Sequence, residues 1–122
     1  MKILPLVKFI PAILWMSFIF YLSSRSTAGV GYTGFERFLL FKTLHLIEYA
    51  VLAILIYYPL KKYPPAIVYS YLYAITDEIH QGFTPGRGPK FTDTLIDLAG
   101  ILIGVFILRL IHKSYIILHK SK

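Results

Sequence analysis

Apolar residues run through this chain in long stretches, separated by short polar segments. Four such stretches lie at about residues 3–22, 43–60, 64–81 and 92–111, each near the roughly 20 residues that carry an α-helix across a bilayer. The pattern predicts an all-α fold, an integral membrane four-helix bundle formed by one domain spanning 1–122. It leaves outer loops at 23–42 and 82–91 and a basic inner tail at 112–122. Within the first loop, the Ser/Gly/Thr-rich segment 23–34 reads as irregular, and Phe35 to Lys42 as an interfacial segment. Pro5 sits harmlessly near a helix start, whereas Pro11 predicts a kink. Tyr63-Pro64-Pro65 is expected to close a tight inner turn. The second outer loop, Gly82-Phe83-Thr84-Pro85-Gly86-Arg87-Gly88-Pro89, is rich enough in Gly and Pro to predict a specifically shaped backbone with Arg87 at its tip.

Composition agrees with lipid as the solvent. The 122 residues are 57% hydrophobic, with only 13 Lys and Arg and 6 Asp and Glu, too little charge to coat a water-facing sphere of this size. No cysteine is present, which excludes disulfide, thiolate and zinc-thiolate chemistry. A net charge of +7 does not point to nucleic acid, because the bases cap the ends of apolar runs instead of forming one basic face. The N-terminal run, with Lys2 and Lys8 ahead of the uncharged Phe9 to Leu22, has some features of a signal peptide cleaved at Ser26-Thr27-Ala28. Its apolar length fits a bilayer span better, and its removal would leave three helices around a polar cluster. If four spans alternate, Lys2, Lys8, Lys61, Lys62, Arg109, Lys113, Lys120 and Lys122 share one side, and Arg25, Arg37, Lys42, Arg87 and Lys90 the other. The positive-inside rule then favours N-in and C-in, with the second group extracytoplasmic. All six acids, Glu36, Glu48, Asp77, Glu78, Asp93 and Asp97, fall on that second side.

This acidic segregation marks the candidate chemistry. His45 and Glu48, Asp77 and His80, and Glu78 and Gln81 are spaced i,i+3, and Asp93 and Asp97 i,i+4, so each pair shares a helix face. Asp93, Asp97, Gly100 and Gly104 form one stripe, in which the two glycines make a GxxxG pair for close helix packing. Ionisable groups inside a membrane cost about 2.5–3.5 kcal/mol each on insertion scales, so they ask for a role. Structural roles are available too. His45 and Glu48 can satisfy one another, Asp93 can cap a helix start, Arg87 and Lys90 can be loop charges, and Arg25 can snorkel. Two chemistries fit the cluster. In one, His45 and Glu48, with Asp77 or Glu78, His80 and Asp97, hold a divalent metal that activates water. In the other, His80 or a carboxylate among Asp77, Glu78, Asp93 and Asp97 acts as general acid or base. Arg87, Gln81, Lys42 and Arg25 then bind a phosphate or carboxylate. Binding without turnover uses the same residues.

The run Tyr73-Ala74-Ile75-Thr76-Asp77-Glu78-Ile79-His80-Gln81-Gly82-Phe83-Thr84-Pro85-Gly86-Arg87, followed by Asp93 and Gly100, closely resembles the VanZ-like family. Trp15, Tyr21-Leu22-Ser23-Ser24 and the Lys42-x-x-His45-x-x-Glu48-Tyr49 pattern extend the resemblance over about residues 13–107. Asp97 departs from it, since the family pattern is expected to carry asparagine there. The resemblance implies a small bacterial-type integral membrane protein whose founding relatives are associated with resistance to the glycopeptide teicoplanin. Together with the residues, it points to an anionic membrane lipid or lipid-linked envelope precursor as partner at the outer leaflet, with a glycopeptide antibiotic as another. An intramembrane hydrolase or transferase and a non-catalytic subunit are the rival readings, and a homodimer fits either. Export by a small four-helix transporter fits poorly, because Leu4 to Leu22 contains no acid.

Overall fold

The computed structural model describes residues 4–25 and 34–120. The chain forms α1 (Leu4–Val7), α2 (Ile10–Ser23), α3 (Gly34–Leu60), α4 (Tyr63–Gln81) and α5 (Phe91–Lys120), with no strand among the described residues. Helix α1 is a single turn leading into α2, and the segments Pro5–Ser23, Gly34–Leu60 and Phe91–Lys120 are each long and apolar enough to cross a membrane. Helix α4 spans 19 residues but carries Asp77, Glu78 and His80 near its end.

Proline sets two of the boundaries. Pro11 has no N–H to offer the Val7 carbonyl, and the helix breaks between Val7 and Ile10, where the Phe9 and Ile13 amides take the carbonyls of Leu6 and Phe9. Pro64 and Pro65 do not form the expected inner turn. They occupy the first turn of α4, where a missing N–H costs nothing. The reversal is made by Lys61 and Lys62 alone, with Lys61 in the left-handed region at φ 57°.

Two helices extend beyond the expected limits. Helix α3 begins at Gly34, so Phe35 to Lys42 is helical and not part of a loop, and α5 continues through the basic tail to Lys120. No proline or helix-internal glycine interrupts either extension. At 27 and 30 residues, these helices are about 40 and 45 Å long, longer than a hydrocarbon core of about 30 Å. The sequence Ser26-Thr27-Ala28 and most of the 23–34 segment lie outside the described residues.

Helix α5 packs chiefly against α3, α4 lies against both, and α2 covers α3 and α4. The core between them holds Ile19, Tyr49, Leu52, Ala53, Ile56, Ala66, Ala74, Ile101 and Val105. The glycine stripe explains the α3–α5 contact. A Cβ on Gly100 would collide with the Leu46 carbonyl, and one on Gly104 with the Ala50 carbonyl, so both positions need a bare Cα. Pairing Leu46 with Gly100 and Ala50 with Gly104 makes the two helices run the same way. It also fixes which turns of α3 and α5 face each other one turn nearer their N-termini, where the polar groups lie.

Candidate functional site

Directly beyond the Leu46–Gly100 contact, two polar pairs join α3 to α5. His45 Nδ1 lies 2.9 Å from Asp97 Oδ1, with Asp97 only 1% exposed. Toward the helix starts, Lys42 pairs with Asp93. Asp93 is therefore not the N-cap. It sits inside the first turn of α5, where its charge favours the helix dipole, and its carboxylate faces Lys42.

Helix α4 adds the second carboxylate layer. Asp77 Oδ2 accepts from the Tyr49 hydroxyl and from Gln81 Nε2, both at 3.1 Å, and Gln81 also donates to Ser23 Oγ at 3.3 Å. Glu78 Oε1 accepts the Lys90 backbone N–H at 2.6 Å, which ties the end of the Gly/Pro loop to α4 just before α5 begins. Asp77, Glu78 and Asp97 are all buried, and each keeps one oxygen (Oδ1, Oε2 and Oδ2) without a hydrogen-bond partner among the described residues.

The loop itself is shaped by its sequence. The Arg87 amide closes on the Thr84 carbonyl at 3.1 Å, and Gly86 has φ 81°, so Thr84-Pro85-Gly86-Arg87 is a type II turn. Proline at its second position and glycine at its third are what that turn requires. The Thr84 hydroxyl donates to the Ser23 carbonyl at 3.2 Å and moors the turn to α2. Arg87 is thereby folded back over the Phe41 ring, 5.8 Å from its centroid. Burial lowers its pKa from the ordinary guanidinium value, against the opposing pull of Asp77, Glu48 and Glu78. It stays charged at any physiological pH.

These elements enclose a cavity of about 430 Å³ whose lining includes Arg37, Lys42, Arg87, Lys90, His45, Gln81 and Asp93. Four bases and one acid line it, and the buried Asp77, Glu78 and Asp97 are not part of that lining. Arg37, whose charge in the sequence marks only the side of the membrane, is brought into this lining because α3 starts eight residues before Lys42. Phe38 and Phe41, on the same extension, supply an apolar wall.

Residues 8–112 match the model of the VanZ/LLP1 family, most of the chain. The chain belongs to that family. No curated protein and no solved structure matches it.

In this VanZ/LLP1 protein the motif residues divide between two faces of α4. Asp77 turns toward Tyr49 of α3 and Glu78 toward the Lys90 amide ahead of α5, Gln81 bridges Asp77 to Ser23 of α2, and Arg87, in the loop beyond α4, lies over Phe41 of α3. His80 turns toward α2, with its Nε2 2.9 Å from Ser24 Oγ and its ring stacked on Phe20 at 4.0 Å, and it does not line the cavity. Arg25 also stays outside, donating to the Tyr21 hydroxyl at 2.9 Å. The i,i+3 pairs within single helices are not the bonds formed. His45 bonds Asp97, not Glu48, and Asp77 bonds Tyr49 and Gln81, not His80. Among the described residues no group of three or more His, Asp and Glu side chains is arranged to hold a metal ion, and the Nδ1 of His45 is taken up by Asp97.

Proposed function

We propose that this VanZ/LLP1 protein crosses the membrane four times with both termini inside and binds, at the extracytoplasmic leaflet, the phosphate or carboxylate headgroup of a lipid-linked envelope component. The observation that carries this reading is the cavity lined by Arg37, Lys42, Arg87 and Lys90 between the ends of three helices. Arginine forks suit phosphate and carboxylate oxygens, and Arg37 and Arg87 have no ion-pair partner among the described residues. The aromatic wall of Phe38 and Phe41 gives an attached chain an apolar path toward lipid. Occupying or shielding such a headgroup would raise tolerance to a glycopeptide such as teicoplanin, the role associated with the founding relatives. Native mass spectrometry of protein purified from bacterial membranes tests the reading. Wild type should carry an anionic polyprenyl-linked lipid that Arg87→Gln lacks, and an identical lipid complement in both would count against it.

The His45–Asp97 pair favours a second reading, in which the bound ligand is also turned over. Asp97 holds Nδ1 and leaves Nε2 of a cavity-lining imidazole as the nitrogen able to accept a proton from water or a ligand hydroxyl. Attack of that oxygen on the terminal phosphorus of a polyprenyl pyrophosphate, polarised by Lys42 and Arg87, would form a new P–O bond as the anhydride P–O bond breaks and polyprenyl phosphate leaves, making the protein a hydrolase with water or a transferase with a ligand hydroxyl. Phosphate release from a polyprenyl pyrophosphate, abolished in His45→Gln while binding persists, is the expected result. Binding without release would leave the protein a shield.

A further inference from the structure

A second cavity, of about 550 Å³, lies at the opposite end of the bundle, between the start of α4 and the C-terminal half of α5. Arg109 to Lys113 stands 18 to 22 residues beyond Phe91, which puts it about 27–33 Å along the helix axis from the carboxylate end. That is one hydrocarbon thickness away, at the other interface. Its lining presents Arg109, His112, Lys113 and Ile116 at i, i+3, i+4 and i+7, one face of α5, together with Tyr63 and Phe106.

The wall of this cavity is built and not merely left over. The Tyr63 hydroxyl meets His112 Nδ1 at 2.8 Å, its ring stacks on Tyr57 at 4.7 Å, and the Arg109 guanidinium lies over that ring at 5.6 Å from the centroid. Charge at this end is of one sign. Lys61, Lys62, Arg109, Lys113 and Lys120 gather here, while Glu36, Asp77, Glu78, Asp93 and Asp97 lie at the other end of the helices and Glu48, near the middle of α3, does not line this cavity. Past the cations α5 continues as a helix with Tyr115, Ile116 and Ile117 exposed by 51–61%, an apolar surface where a soluble tail would be polar.

We infer that this cavity is a binding site for an acidic glycerophospholipid of the leaflet opposite the basic extracytoplasmic cavity. The headgroup phosphate lies on Arg109 and Lys113, and an acyl chain runs along Phe106 and Ile116. A neutral zwitterionic lipid offers the same chains but no net charge to match a cluster without a single acid. A free phosphate offers the charge but nothing for the apolar wall.

The test uses the full chain reconstituted in vesicles of equal parts phosphatidylglycerol and phosphatidylcholine, with one or the other carrying a photoreactive acyl chain. Cross-linked peptides are then mapped. Phosphatidylglycerol should label the Phe106 to Ile117 peptide in preference to phosphatidylcholine. Arg109→Gln/Lys113→Gln should cut that labelling roughly thirtyfold, the worth of two cations facing an anionic lipid. Both side chains are exposed, so the double variant should fold, as circular dichroism will show. Arg25→Gln, at the other end on Tyr21, should leave this labelling as it was. Equal labelling by the two lipids, unchanged labelling in the double variant, or loss of labelling on adding inorganic phosphate would each overturn the inference.

Discussion

Substituting Gly100 by alanine tests whether the α3–α5 contact sets the geometry of the polar site. The new Cβ would stand 3.0 Å from the Leu46 Cα and closer still to its carbonyl oxygen, where carbon atoms ordinarily meet at about 3.5–4.0 Å. Relief by backbone movement parts the helices by about 0.5–1 Å. The His45–Asp97 contact, 2.9 Å in this structure and one turn away, would then open to about 3.4–3.9 Å, beyond a normal hydrogen bond. Overpacking of this kind costs about 1–3 kcal/mol, and stranding a buried carboxylate adds about 1–3 kcal/mol. The better helix propensity of alanine offsets at most about 1 kcal/mol. The expected net loss is therefore about 1 kcal/mol or more, centred near about 3 kcal/mol, read as equilibrium unfolding in detergent micelles or bicelles. Gly34→Ala is the control, since nothing among the described residues lies within 4 Å of a Cβ there, and it should change stability by no more than about 0.5 kcal/mol. If Gly100→Ala is as stable as wild type, the glycine stripe does not fix the register and the reasoning fails.

Three further outcomes follow from the same geometry. Gly86→Ala forces an L-residue to φ 81° and should cost about 1 kcal/mol, with weaker binding of anionic lipid because Arg87 is re-aimed; unchanged binding would show that the turn does not position it. Glu78→Gln weakens the acceptor for the Lys90 amide, so hydrogen exchange across residues 86–91 should speed up while the helices keep their protection. Tyr49→Phe removes one of two donors to buried Asp77 and should destabilise the bundle by about 1–2 kcal/mol, whereas a neutral result would mean that Gln81 alone satisfies that carboxylate.

Much of the fold was legible because its signals are local. Apolar run lengths give the helices, Pro11 breaks the first of them, and the offsets of Asp97, Gly100 and Gly104 place all three on the buried face of α5. The Thr-Pro-Gly-Arg turn could be read from the backbone needs of its two central residues. What stayed hidden depends on which helices touch. Spacing says that Asp77 and His80 share a broad face of α4, but α2 and α3 divide that face between them, and His80 falls to α2. Partner choice for His45 is set by the approach of α5 at Gly100, which no spacing within α3 reveals. Arg37 is not legible as a site residue because an aromatic, charged segment reads as an interfacial loop. Its apolar positions, Phe38 and Phe41, were the available sign that α3 begins earlier and carries Arg37 into the cavity.

The most direct test of the central claim is a binding titration in phosphatidylcholine nanodiscs, comparing a polyprenyl phosphate with the matching neutral polyprenol for wild type and Arg37→Gln/Arg87→Gln. The account predicts that wild type prefers the phosphate, and that the preference falls at least roughly tenfold in the double variant, since hydrogen bonds to charged groups contribute about 1.5–3 kcal/mol each. Equal affinity for the neutral lipid, or an undiminished preference without the two arginines, would contradict it.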